Sequence, residues 1–311
     1  MKKIISLILT AAVMLCLCAC GGTAEETPES NLKIVCTAFP QYDFVKNILG
    51  TSDGITLLID DGGDLHSFEP TAQDIITISS ADMFIYVGGT SDKWVDGVLA
   101  SANNPNLKTV ALMDLVDTYD EEYVAGMEHH SDSEHATKDE HVWLSLGNAG
   151  VMIQKICDII CEIDPDNTAK YRNNAGKYIA DTITLDMEYR LALNDAKRNV
   201  LLFADRFPFR YLTEAYSLEY YAAFAGCSSE SEASFQTMAF LIDKTKELSL
   251  PVVLTIDGSD GSIAKTVCEA TGAKTAELDS CQSVSMTDIE NGTTYLGIMR
   301  SNLEVLREAL N

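Results

Sequence analysis

The chain has 311 residues, 46% of them hydrophobic, and a formal net charge of −25 at pH 7. Such a length and apolar content suit two ordinary domains, each able to bury a core. The excess of acids excludes nucleic acid as a partner, because phosphate contacts need Lys and Arg, and favours an exterior that attracts cations.

At the amino end, Lys2 and Lys3 precede the apolar run Ile4 to Ala19. This run is short for a membrane span and suits a signal peptide over residues 1–19. Leu17-Cys18-Ala19-Cys20 closes it and resembles the bacterial lipobox, with Cys20 as the lipidated residue. The alternative is an ordinary signal peptide cleaved after a small residue. Residues 20–31 are small, polar and acidic, and read as a flexible tether. Six of the nine cysteines lie beyond it: Cys36, Cys157, Cys161, Cys227, Cys268 and Cys281. An exported protein could pair them, but no connectivity follows from spacing. Cys157 and Cys161 stand one helical turn apart in an apolar stretch, which fits buried free thiols.

A first α/β lobe is expected over residues 32–165. It opens with a strand, Leu32 to Thr37, and a helix, Gln41 to Leu49. The apolar run Ile55 to Ile59 then ends in two acids and two glycines, a strand meeting a loop, and His66 sits in that loop. Thr71, with Asp74 three residues on, carries a capping-box signature for the next helix. Met83 to Val87 gives another buried strand, stopped by Gly88-Gly89. A helix around Trp94 to Ala100 and a strand from Leu107 to Met113 follow. This alternation predicts a parallel sheet, and places His66 at the rim where open α/β sheets bind ligands.

From Asp117 to Glu140 the pattern stops, in a segment with nine acids, one lysine and the histidines His129, His130 and His135. One reading is a solvated, mobile loop. The other is a weak arm that gathers divalent cations on imidazoles beside carboxylates. His141 closes the segment, with acids before it and apolar residues after, at the edge of folded structure. A neighbouring carboxylate there can fix its tautomer. The apolar spacing from Asn148 to Ile163 predicts a helix that ends at Asp164-Pro165.

A long helix is expected from Thr168 to Arg198, with Tyr171, Ala175, Tyr178, Thr182, Leu185, Tyr189 and Ala192 forming one narrow stripe. It reads as a strut over residues 166–198 between two lobes. The second lobe, residues 199–311, repeats the alternation, with strands at Val200 to Ala204, Leu218 to Ala223, Val252 to Ile256 and Lys274 to Leu278. A final helix covers Tyr295 to Leu310. The strand ends carry Asp205, Gly226-Cys227, Asp257 and Asp279. Several acids on one rim, facing a lobe that offers two histidines, suggest a cation site.

These residues together resemble the solute-binding lipoproteins of zinc and manganese ABC importers. The first-lobe motif His-x-(Tyr/Phe)-Glu-Pro-(Ser/Thr) stands as His66-Ser67-Phe68-Glu69-Pro70-Thr71, and the second, Asp-x-His-x-Trp, as Asp139-Glu140-His141-Val142-Trp143. The resemblance implies two α/β lobes with parallel sheets, joined by one long rigid helix. It implies His66, His141 and Asp279 as metal ligands. The family's third ligand position holds Arg206, which has no acceptor and cannot coordinate a metal. Asp205, a water or a histidine of the acidic segment could take that place. Alternatively, Arg206 could bind an anion, with a small chelate as the solute.

The resemblance further implies a monomer anchored by lipid on the extracytoplasmic face of the cell membrane. It would deliver Zn²⁺, or alternatively Mn²⁺, to an importer's permease and ATPase. Two imidazoles with carboxylates suit tetrahedral Zn²⁺, whereas Mn²⁺ prefers more oxygen. An exported metallohydrolase and a surface zinc buffer or adhesin are the readings from other classes. No His-Glu-x-x-His or Gly-x-Ser-x-Gly motif occurs, so no enzyme is expected.

Overall fold

Residues 31–128, 137–228 and 232–311 are described by a computed structural model. The expected signal peptide, Cys20, His129, His130 and His135 lie outside the described residues.

Unbroken apolar runs such as Ile34-Val35-Cys36 and Met83-Phe84-Ile85 are buried on both faces, as parallel strands covered by helices require. The first sheet contains β1 (Ile34–Cys36), β2 (Ile55–Leu57), β3 (Met83–Tyr86) and β4 (Lys108–Ala111), all parallel, in the order β2-β1-β3-β4. The second contains β5 (Val200–Phe207), β6 (Glu219–Ala225), β7 (Val252–Ile256) and β8 (Lys274–Leu278), again parallel, in the order β6-β5-β7-β8. The two halves therefore repeat one topology. In each, the chain steps from its first strand to one side and then crosses to the other. That reversal opens a crevice at the carboxyl ends of the strands.

The helices of the first half are α1 (Phe39–Leu49), α2 (Ala72–Ser79), α3 (Trp94–Ser101) and α4 (Leu146–Ile163). Helix α2 starts with the capping box read from the sequence, Thr71 and Asp74 bonding each other's backbone amides. The long helix α5 (Thr168–Asn194) spans 27 residues, about 40 Å at 1.5 Å per residue. Tyr171, Ala175, Tyr178, Thr182, Leu185 and Tyr189 form its buried stripe. Its tyrosines reach both halves, Tyr178 donating to Asp43 of α1 and Tyr189 to the Met299 carbonyl. Helix α5 stops short of Arg198, whose amide instead donates to the Leu310 carbonyl at the carboxyl end of the chain. The second half adds α6 (Arg210–Tyr216), α7 (Phe235–Glu247), α8 (Ser262–Thr271), α9 (Met286–Glu290) and α10 (Tyr295–Leu310). One continuous core runs through both halves under α4, α5 and α10.

Two departures from the sequence reading bear on function. Strand β5 runs past Ala204 to Phe207, with a register shift between Phe203 and Arg206, so Asp205 and Arg206 belong to the strand. Where it is described, at residues 117–128 and 137–140, the acidic segment is more structured than a solvated loop. Asp120 and Lys138 pair as an antiparallel bridge, and the Glu128 amide donates to Ala223. That bond lays part of the segment along β6, the edge strand, where unpaired backbone would otherwise face water. All six cysteines of the described residues are free, and Cys157 and Cys161 are buried as expected.

Candidate metal centre

His66 is placed by a short 3-10 turn, Leu65–Ser67, that follows β2. Asp64 caps this turn, its Oδ1 accepting the His66 amide at 2.8 Å. The other oxygen of Asp64 accepts from Arg206 of the second sheet at 2.6 Å. Arg206 also donates to the carbonyl of Ser228, beyond the end of β6. The cation at the family's ligand position thus ties loops of the two halves together. Burial pushes the Asp64 carboxyl up, but the Arg206 charge and the His66 amide outweigh it and hold it below the usual range.

His141 is fully buried, as are Asp139 and Glu140 beside it. A consecutive pair of acids can be buried only if its oxygens find donors or face a cation. Asp139 Oδ1 accepts both the His141 amide, at 2.9 Å, and its ring Nδ1, at 3.1 Å. A carboxylate oxygen accepts from Nδ1–H, which leaves Nε2 as the nitrogen turned towards His66. Glu140 Oε1 accepts from the Thr90 and Ser91 amides and the Thr90 hydroxyl, while Oε2 has no hydrogen-bond partner and lies 3.8 Å from His66 Nδ1. Gly89 makes room for Glu140. Its φ is +99°, and an added Cβ would fall 2.7 Å from Oε1.

The two rings meet at the seam between the halves, with His66 Nε2 and His141 Nε2 3.2 Å apart. Two nitrogens on one tetrahedral zinc are separated by about 3.3 Å, given Zn–N bonds near 2.05 Å. Ser91 Oγ, 2.7 Å from His66 Nδ1, is able to hold that ring's other nitrogen. Cys227, in the turn after β6, completes a group whose ligand atoms all lie within 4.8 Å of one another.

The two histidines are tuned in opposite directions. Burial, then the nearby His141 charge, pushes His66 down to about 4, so its imidazole is neutral at neutral pH. Burial alone would lower His141 too, but the charge and hydrogen bond of Asp139, with Glu140 and Glu121 behind, raise it. The Cys227 thiol is pushed well above its ordinary value by burial and by Glu121, Glu140 and Asp139.

The remaining candidates lie around this group rather than in it. Asp205 shares a cavity of about 390 Å³ with Asp64, His66 and Arg206. Its Oδ1 accepts the Arg206 amide, and its Oδ2 is buried without a hydrogen-bond partner. Asp279 follows β8. Its Oδ1 accepts the Cys281 amide at 2.7 Å, and it is outside the three-residue group. Burial and the neighbouring Asp257 push its pKa up to about 7. Trp143 donates to the Ser280 carbonyl at 2.8 Å and so links the His141 turn to the Asp279 loop. Glu69, three residues after His66 in the first-lobe motif, is exposed. Sequence reasoning placed Cys227 at a strand end without seeing it as a ligand. The available signal was Arg206, which stands at the family's third ligand position and cannot itself coordinate a metal.

The sequence model of the ZnuA family, described as zinc-uptake complex component A, periplasmic, matches residues 34–309. The chain belongs to this family. Among its ZnuA relatives, the high-affinity zinc uptake system protein ZnuA of Bacillus subtilis is 31% identical over 316 residues, covering 99% of this chain and 98% of that protein. The zinc-binding lipoprotein AdcA of Streptococcus pneumoniae is 29% identical over 310 residues, and the match spans 61% of AdcA's length. The Zn(II)-bound ZnuA-like domain of that AdcA superposes with a TM-score of 0.74 at 28% identity, covering 90% of this chain and 99% of the domain. The metal-dependent lipoprotein YcdH of Bacillus subtilis gives 0.77 at 28% identity, covering 90% and 100%. The two-sheet fold joined by a long helix is the fold of the ZnuA family.

Proposed function

We propose that this chain is an extracytoplasmic receptor that captures Zn²⁺ between its two lobes and passes it to the permease and ATPase of an ABC importer. The observation that carries this reading is a pair of imidazoles, His141 buried and His66 part-buried, whose Nε2 atoms sit 3.2 Å apart at the lobe seam. Asp139 holds one of them through Nδ1, so that its Nε2 faces the other ring. Zinc is the cargo, and nothing in the arrangement requires its chemical change. The zinc-binding and zinc-uptake names of the relatives support the choice of ion.

In this reading His66 and His141 are ligands. Asp205 and Asp279 are the acids at hand for a remaining position. His129, His130 and His135 form a weaker gathering site, and lipid on Cys20 holds the protein at the membrane. The lobes span residues 32–165 and 199–311, with the helix of 166–198 between them. No helix of the described residues is long and apolar enough to cross a membrane.

The test is a titration of the metal-stripped protein with Zn²⁺ against a chelator of known affinity, repeated with Mn²⁺. One tight zinc equivalent is expected, with manganese far weaker, and His66→Ala or His141→Ala should each abolish tight binding. Several weak sites that survive both substitutions would overturn the receptor reading.

A further inference from the structure

We propose that Cys227 is the third protein ligand, so that two imidazoles and one thiolate hold the ion. This rests on the receptor reading above and names the donor set that gives that site its selectivity. The sulfur and the two histidine nitrogens lie within 4.8 Å of one another, against an N···S separation of about 3.6 Å on a tetrahedral zinc. The backbone around Cys227 is fixed independently of its side chain. The Cys227 amide donates to Glu121 Oε1 at 2.7 Å, and the Ser228 amide turns back to Ala225 at 3.2 Å.

Gly226 brings this turn as near to His141 as backbone can come. An added Cβ would fall 2.7 Å from the Phe207 carbonyl oxygen and 3.3 Å from His141 Cε1. Arg206, which occupies the usual ligand position, is spent on Asp64 and on Ser228, the residue next to Cys227. The guanidinium that removes one donor therefore holds the loop that supplies another.

A thiolate makes the site softer than histidines and carboxylates alone would. It favours Zn²⁺ and Cd²⁺ and disfavours Mn²⁺, which seeks oxygen. On binding, the Cys227 S–H bond gives its proton to solvent and the sulfur lone pair goes to the ion, with no change of oxidation state.

The probe is Co²⁺ added to the reduced, metal-stripped protein, read by absorbance. One equivalent should bind with a near-ultraviolet thiolate-to-cobalt charge-transfer band. Cys227→Ser should lose that band and weaken Zn²⁺ by at least 10–100-fold, the range seen when only a ligand's support is removed. Cys268→Ser, at another part-buried thiol, should leave both unchanged. In the unsubstituted protein, one equivalent of Zn²⁺ should protect Cys227 from alkylation, whereas Mn²⁺ should not; this reading does not depend on the variant folding. Tight cobalt binding that needs His66 and His141 but shows no thiolate band, or a band that survives Cys227→Ser, overturns the thiol ligand and leaves the receptor intact. Absence of any tight site in the unsubstituted protein overturns both.

Discussion

Asp139 and Glu140 are consecutive acids, and in the sequence they place His141 at a solvent boundary. In the structure all three are buried. Glu140 looks exposed because its donors are not local. They come from Thr90 and Ser91, 50 and 49 residues away along the chain, a distance no periodicity can span. The motif around His141 was legible; its burial was not. The support that Asp139 gives the ring can be tested alone. Asp139→Asn keeps a carbonyl acceptor but removes the charge that fixes the proton on Nδ1. Its zinc affinity should fall by about 10–100-fold with one equivalent still bound, measured by chelator competition. An unchanged affinity would show that the tautomer needs no carboxylate.

At the scale of elements, the strands and helices were readable because a parallel sheet covered on both faces leaves apolar runs between amphipathic stretches. Strand ends were less so. Strand β5 continues through Asp205 and Arg206 because these polar residues point into the crevice between halves, where Asp64 supplies a partner. The end of β3 shows how such polar termini are held. Asp92 is buried, and its Oδ2 accepts the Val87 and Gly88 amides at 2.8 Å each. Burial raises its pKa to about 6, against the pull of those two amides. The folded state therefore holds this proton more tightly than the unfolded chain. The ionised carboxylate costs stability above pH 6, and that cost fades as pH falls towards 3.8. Asp92→Asn has no such dependence, so its stability relative to the parent should improve by about 2 kcal/mol between pH 4 and pH 8. Urea unfolding at the two pH values measures this, and a pH-independent difference would contradict it.

For the whole molecule, Arg206 ties the two halves together through its side chain. It pairs with Asp64, which holds the His66 turn, and it reaches Ser228, beside Cys227. Sequence comparison alone made Arg206 an anomaly, because only the fold shows that the lost ligand position faces an acid of the other lobe. A part-buried bridge of this kind is worth about 1 kcal/mol. Arg206→Met should accordingly release zinc roughly fivefold faster, with stoichiometry unchanged, in a stopped-flow chelator chase. A release rate equal to the parent's would mean that the bridge does not restrain opening.

The two histidines and the cysteine are divided between the halves, with His66 and His141 on the first and Cys227 on the second. With Cys227 as the proposed third ligand, separation of the halves carries its sulfur away from both imidazoles in one step. In the proposed receptor, prying the lobes apart turns a tight host into a weak one, through the donors that travel with the second sheet.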